Sequence, residues 1–428
     1  MDLNSIAIIV AGFLLFALFS GRLQGTVLTA PLVFIVFGYL VGAGGLGVAQ
    51  VDPGNDALHL VAELTLILVL FSDAARIDLG SLRRDHNLPL RMLVVGLPLV
   101  MLTGAVLAAV LFPEFAFWEA ALLAALLAPT DAALGQSVVS AREVPVRIRQ
   151  AINVESGLND GIALPAVLLF AALASASHAD TDAGEWLQFG LLQITLGPVT
   201  GAIVGMVGGR VLDRVAEKQW AATSFQGIAI LALALLCFVL AEMLGGNGFI
   251  AAFVGGVAFG NTIRHPCTFL FEFMETEGQL LMLITFMVFG AALLPKGLQH
   301  IDGSVVFYAL MSLTVIRMLP VAVSLFRTGV GWPTRLFLGW FGPRGIASIL
   351  FGLLILEEME VANVEKLFAI TIVTVALSAL LHGVTAAPLA RLYGRKAAAM
   401  GECEENRVVT ELPLREGMQQ TQDQPGLL

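Results

Sequence analysis

Apolar residues run along this chain in long blocks, not in the alternation of a strand or the narrow stripe of a surface helix, and polar residues gather between the blocks. Thirteen blocks reach or approach the roughly 20 residues an α-helix needs to cross a hydrocarbon core. They cover about 5–20, 27–43, 58–75, 88–111, 117–139, 150–175, 187–209, 224–244, 247–261, 276–295, 303–326, 335–356 and 365–390. The pattern predicts an all-α polytopic membrane protein with about 13 transmembrane helices.

Composition removes the competing classes. Of 428 residues, 57% are hydrophobic and only 13% charged, where ordinary soluble domains carry roughly 25% charged residues. A soluble enzyme and a secreted disulfide scaffold are excluded. A net charge of −10 without a basic patch excludes a nucleic-acid partner, so the partner is the lipid bilayer. Cys237, Cys267 and Cys403 are too scattered for a metal quartet or a disulfide framework. No cationic stretch precedes the block Ile6–Phe19, so this block is expected to be the first span, not a cleaved signal.

Basic residues in the loops are one-sided. Arg22, Arg76, Arg83, Arg84, Arg91, Arg142, Arg147, Arg149, Arg210, Arg214, Lys218, Arg264, Arg327 and Arg335 share a side with the tail, and only Lys296 and Lys366 fall opposite. The positive-inside rule places the N-terminus outside and the C-terminus in the cytoplasm of a plasma-membrane protein. Residues 1–398 are expected to form the membrane domain and 399–428, rich in glutamate, a disordered cytoplasmic tail.

Charges at membrane depth are costly, so each is a functional hypothesis. The fifth block, ALLAALLAPTDAALGQSVV, holds Pro129, Thr130 and Asp131 at its centre, and the twelfth, LFLGWFGPRGIASILFGLL, holds Gly342, Pro343, Arg344 and Gly345. Proline removes an amide donor and clashes with the preceding turn, so both helices are expected to be interrupted. Interruptions at corresponding places in two halves point to inverted-topology repeats whose broken helices cross at the midplane, with the site there.

The sixth block, QAINVESGLNDGIALPAVLLF, sets Ser156, Asn159 and Asp160 on one helical face, with Glu155 one turn from Asn159. Hard alkali cations take oxygen ligands, and the carboxylates of Asp160 and Asp131, the Ser156 hydroxyl and the carbonyl freed near Thr130 would supply them. A site that holds either one proton or one cation, never both, exchanges the two across the membrane, electroneutrally if one charge moves each way. Arg344 needs a counter-charge, and Glu155 is expected to provide it as a buried pair joining the halves. Arg317, in the eleventh block, shares Glu155, neutralises Asp131 or snorkels to an interface. Asp73, late in the third block, is a water-mediated ligand, an entry charge or a solvated helix end. His382 is the one histidine deep in a span, expected as a packed neutral imidazole. Glu242 is expected at an interface. GAGGLG at 42–47 is a loop, not a nucleotide site, and Gly197, Gly201, Gly205 and Gly209 mark a close helix contact.

The segments LAPTDAA, VESGLNDG and GPRGIAS, with the arginine-rich loop between the first two, resemble the monovalent cation/proton antiporters, specifically the prokaryotic NhaP-type sodium/proton exchangers. The resemblance covers essentially the whole membrane region. It implies two inverted six-helix repeats, a core domain from spans at about 88–175 and 303–390, a dimerisation domain from about 5–75 and 187–295, a homodimer and elevator-like alternating access. By motif it makes Asp160 the ion- and proton-binding carboxylate, Asn159 the mark of the electroneutral branch, Ser156 and Thr130 ion ligands, Asp131 a partner near the site, and Glu155 with Arg344 the core pair. Two positions depart from the family pattern: Pro343 stands where leucine is usual, and Asp73 where relatives carry glutamate. The reading is a sodium/proton antiporter, with lithium or potassium as other cargoes, no organic cofactor and no enzymatic reaction. A cation channel or uniporter, and a membrane-embedded aspartyl hydrolase using Asp131 and Asp160, are the alternatives.

Overall fold

The computed structural model describes residues 3–23, 26–48, 56–77, 79–80, 87–131, 134–176, 183–263, 278–358, 361–400 and 403–406. Among them every regular element is helical. In chain order these are α1 (Leu3–Leu23), α2 (Ala30–Val41), α3 (Asp56–Ala75), α4 (Asn87–Leu111), α5 (Phe117–Leu126), α6 (Gln136–Val139), α7 (Val146–Ala176), α8 (Ala183–Glu217) and α9 (Thr223–Met243). They continue with α10 (Gly248–Gly260), α11 (Gln279–Gln299), α12 (Gly303–Ser324), α13 (Trp332–Trp340), α14 (Ile346–Glu358) and α15 (Val364–Ala399). Eight helices among the described residues are long and apolar enough to cross a membrane, and α2, α5, α10 and part of α14 are shorter apolar helices. Large side chains such as Leu14, Val106, Val207 and Leu319 lie exposed on these helices, a surface that hydrocarbon suits and water does not.

Two packed groups emerge. Helix α10 lies against α3, α8 and α9, while α4, α5, α7, α12 and α15 pack through one another. The glycine stripe of α8 makes the first group possible: a Cβ on Gly201 would stand 2.2 Å from the Ala251 carbonyl oxygen of α10. The close contact expected from the stripe is therefore within this chain. Glu242 caps the head of α10, accepting the Gly248 amide at 2.6 Å.

The loops gather at two ends. At one, Glu114 meets Lys366, which holds its carboxyl below the usual range, and Glu119 accepts the Ala116 amide at 2.7 Å and the Asn363 amide at 2.9 Å. At the other, Arg91 donates to the Phe326 carbonyl at 2.6 Å beyond α12.

At this second end residues 403–406, at the start of the expected tail, lie against the helices. Residues Glu404–Asn406 form a short 3₁₀ turn. Glu405, only 2% exposed, accepts the Gly331 amide at 2.6 Å and the Thr334 hydroxyl at 2.9 Å at the head of α13. Arg147 pairs with Glu404 at 2.8 Å, and Asn406 donates to the Ala397 carbonyl at 3.0 Å. Composition hid this because the acidic side chains fill helix-head and arginine positions that only the fold creates. The rest of the expected tail, 407–428, lies outside the described residues.

Candidate functional site at two crossed helix breaks

The fifth block is helical only to Leu126 and resumes at Gln136, and the twelfth is unwound between Trp340 and Ile346. The bare stretches lie across each other. The Asp131 amide donates to the Pro343 carbonyl at 2.8 Å. Asp131 Oδ2 accepts the Ile346 amide at 3.0 Å, so a carboxylate sits at the positive head of α14. In return Arg344 Nη1 donates to the carbonyls of Ala128 at 2.8 Å and Pro129 at 3.3 Å, beyond the negative end of α5. Each break supplies the charge that the other's helix end requires.

Glycines leave room for this. A Cβ on Gly345 would lie 1.9 Å from Asp131 Oδ2, and one on Gly342 would lie 2.3 Å from Arg317 Nε. The GPRG segment is thus spaced by two side chains from other helices.

Helix α7 runs unbroken past the crossing, although Pro165 lies within it. Its Ser156 hydroxyl donates to the Thr130 carbonyl at 2.5 Å. Asn159 Nδ2 donates to the Thr130 hydroxyl at 2.6 Å, and that hydroxyl donates to Glu155 at 3.4 Å. Glu155 faces Arg317 in a two-pronged pair, with both N–O distances 2.8 Å and exposures of 1% and 0%. The expected Glu155–Arg344 pair is therefore corrected to Glu155–Arg317. Arg344 turns instead to the carbonyls that unwinding has freed, and Arg317, expected to share Glu155, bonds both of its oxygens. A planar guanidinium matches both carboxylate oxygens, and a lone partner on either side would be a buried uncompensated charge.

Thr130, Ser156, Asn159, Glu155 and Arg317 thus form one network, joined through the crossing to Asp131 and Arg344. Asp160 follows Asn159, half-buried and one turn from Ser156, on the stretch of α7 that passes α3 and α10. There the Phe253 ring of α10 presses against Gly161, and the Asp73 carbonyl of α3 lies 4.0 Å from the Cβ position of Gly157. Asp73 itself is half-buried in the last turn of α3. Asn159 Oδ1 is buried without a hydrogen-bond partner among the described residues.

Two features escaped the sequence. Helix α12 bends at Thr314 (φ −110°, ψ −93°), just before Arg317, and the one local signal was Pro320 in the same helix. His382 and Ser378 of α15 bond to both sides of the second break, for which no signal exists short of the fold.

Crossed, broken helices around a buried carboxylate–guanidinium network in an apolar helical body define a secondary ion transporter. Residues 7–392 match the family described as sodium/hydrogen exchanger, transmembrane, and the chain belongs to that family, among its NhaP-type monovalent cation/proton antiporters. It is 26% identical over 408 residues to the K(+)/H(+) antiporter NhaP2 of Shewanella oneidensis, covering 92% of this chain and 68% of the relative. A Schizosaccharomyces pombe protein named "Probable Na(+)/H(+) antiporter" is 27% identical over 320 residues, 70% of this chain and 41% of that protein. The chain is therefore shorter than both relatives. The sodium proton antiporter MjNhaP1 of Methanocaldococcus jannaschii shares the fold with a TM-score of 0.70 at 16% identity, over 91% of this chain and 97% of that one.

Proposed function

We propose that this chain exchanges one monovalent alkali cation for one proton across the plasma membrane, with the cation and the proton competing for Asp160. Sodium is the first candidate cargo, and potassium and lithium are the others; the relatives' names divide between sodium and potassium. The observation that carries the reading is the charge of the crossing. Glu155 is paired with Arg317, Asp131 caps α14 while Arg344 caps the end of α5, and Asp160 is a further carboxylate, half-buried one residue beyond Asn159 of the same network. A single cation or a single proton neutralises the Asp160 carboxylate, so a site that holds one or the other exchanges them one for one.

The cation takes oxygens. Asp160, the Ser156 hydroxyl, the Thr130 carbonyl, Asn159 Oδ1 and Asp131 are the ligands we assign, and Asp73 is a charge at the mouth. The Thr130 hydroxyl is held between Asn159 and Glu155, and its carbonyl accepts the Ser156 hydroxyl, which brings the carbonyl and Ser156 together as neighbouring ligands. Glu155 and Arg317 hold the frame. The cycle needs no organic cofactor.

The order of elements supports inverted repeats within a thirteen-span topology, because each half offers a broken helix and then a long continuous one: α5–α6 then α7, and α13–α14 then α15. The packed groups fit a core of α4 to α7 and α12 to α15 moving elevator-fashion against a homodimer scaffold. The one-sided arginine loops fit an outside N-terminus and a cytoplasmic C-terminus.

Everted vesicles energised by respiration, with a pH-reporting dye, test this. Addition of Na+, Li+ or K+ to wild type should collapse the pH gradient for the cargo ion, and Asp160→Asn, inserted at equal level, should abolish the response. Equal responses in both proteins would remove Asp160 from the role. Ion conductance without proton movement would replace exchange by a channel.

A further inference from the structure

Unwinding Phe341–Gly345 leaves the end of α13 and the head of α14 with backbone groups that have lost their helical partners, at a depth where each must be bonded by protein. Asp131 takes the Ile346 amide. The Asp131 amide in turn donates to the Pro343 carbonyl, and further contacts across the gap come from α15. His382, fully buried, places Nε2 2.9 Å from the Trp340 carbonyl and Nδ1 3.2 Å from Ser378 Oγ. Ser378 Oγ in turn accepts the Arg344 amide at 2.7 Å.

A carbonyl only accepts, and each ring nitrogen faces one: Nε2 the Trp340 carbonyl and Nδ1 the Ser378 carbonyl at 3.0 Å, with the Ser378 hydroxyl beside it. The imidazole is wedged between the Trp340 backbone and Ser378, and Ser378 holds the Arg344 amide. Together the two α15 residues reach Trp340 at the end of α13 and Arg344 across the unwound stretch. The Trp340 ring lies tilted by 31° with its centroid 4.9 Å from that of the imidazole, and its indole donates to Thr385 at 3.0 Å, so α15 holds this residue by backbone and side chain.

We propose that His382 is a positioning residue for cation/proton exchange: through Ser378 it sets the span of the gap and so aims Arg344 at the Ala128 and Pro129 carbonyls. This rests on the antiporter reading. A histidine that only fills space needs no partner on both sides of a helix break, and none on the backbone of the residue that bonds the opposite break. Because Pro343 and Ile346 in the same stretch bond Asp131, the staple also fixes the depth of Asp131 in the crossing.

The test uses the full chain in proteoliposomes, with cation-driven proton movement measured per folded molecule, counted as the monodisperse fraction. His382→Leu keeps the bulk and loses both bonds, and it should lower the rate about tenfold or more, the usual cost of losing a group that orients a site. His382→Gln, which restores an N–H at the far end, should recover most of it. Ser378→Ala cuts only the link to Arg344 and should raise the half-saturating cation concentration of the folded fraction, a change that loss of stability from one unpaired buried amide does not produce. Wild-type rate and half-saturation in both His382→Leu and Ser378→Ala would overturn the inference, and Ser378→Ala alone decides if His382→Leu does not insert. A wild type that moves no protons with any alkali cation would overturn the antiporter reading and this inference with it.

Discussion

Asp131 and Arg344 each serve the other's helix. Asp131 accepts the Ile346 amide at the head of α14, and Arg344 donates to the Ala128 and Pro129 carbonyls beyond the end of α5. Neither break is stable alone, since each leaves helix ends unbonded at membrane depth. The exchange of caps makes the two breaks one structural unit, and motion of one half must carry the other.

That unit depends on space at two glycines. Gly345→Ala would drive a methyl group into Asp131 Oδ2, and Gly342→Ala into the Arg317 guanidinium. Both should abolish cation-driven proton movement in vesicles, Gly345→Ala through loss of the Asp131 cap. Gly303→Ala, where nothing lies within 4 Å, should match wild type in the same assay.

The assignment of Glu155 to Arg317 is testable by a double-mutant cycle on thermal stability in detergent. Arg317→Ala or Glu155→Gln alone should cost about 3–5 kcal/mol, the range for stranding one partner of a buried pair. The double replacement by apolar residues of similar size should be much closer to wild type. Glu155 should couple strongly to Arg317 and only weakly to Arg344, and the reverse ordering would restore the pair first expected from the sequence.

Much of this was legible in the sequence because membranes permit few polar residues inside, and those few announce themselves. PTD and GPRG each set a proline beside a charged residue at mid-span, where a helix interruption is expected, and ESGLND sets its polar groups on one face by spacing alone. Pairing was harder. Charge balance alone assigns Glu155 to Arg344, because it counts neighbours but not directions. Only the fold reveals that unwinding frees the Ala128 and Pro129 carbonyls for Arg344, and that Gly342 lets Arg317 approach. The docked start of the tail was illegible for a related reason: a glutamate that caps a helix head reads, in sequence, like one in solvent.

Asp131 has two duties that a single atom change can separate. Asp131→Asn keeps an oxygen for the Ile346 amide but removes the charge. Its melting temperature should stay near wild type while exchange is lost, because the cation loses one of its charged oxygen ligands. Asp131→Ala should lose exchange and also about 0.5–2 kcal/mol of stability, the cost of an absent helix cap. Full exchange in a folded Asp131→Asn protein would reduce Asp131 to a cap.

The docked tail makes a prediction about acid. Burial works to raise the Glu405 carboxyl, but the Gly331 amide, its own backbone amide, the Cys403 thiol and the Thr334 hydroxyl outweigh it and hold the group below its ordinary value of 4.5. A carboxyl lowered on docking binds fewer protons docked than free. Its contribution is therefore complete above the ordinary value and is lost as the pH falls through the lowered one. At neutral pH the dock should be closed, with the amides of residues 403–406 protected in hydrogen exchange. Protection, corrected for intrinsic rate, should weaken only below about pH 4.5, the ordinary value. Glu405→Gln should reproduce the acid state at pH 7, because an amide cannot accept the Gly331 and Thr334 hydrogens with a carboxylate's charge. Protection that persists in Glu405→Gln would assign the dock to the Arg147–Glu404 pair instead, and Arg147→Ala would then be the variant that opens it.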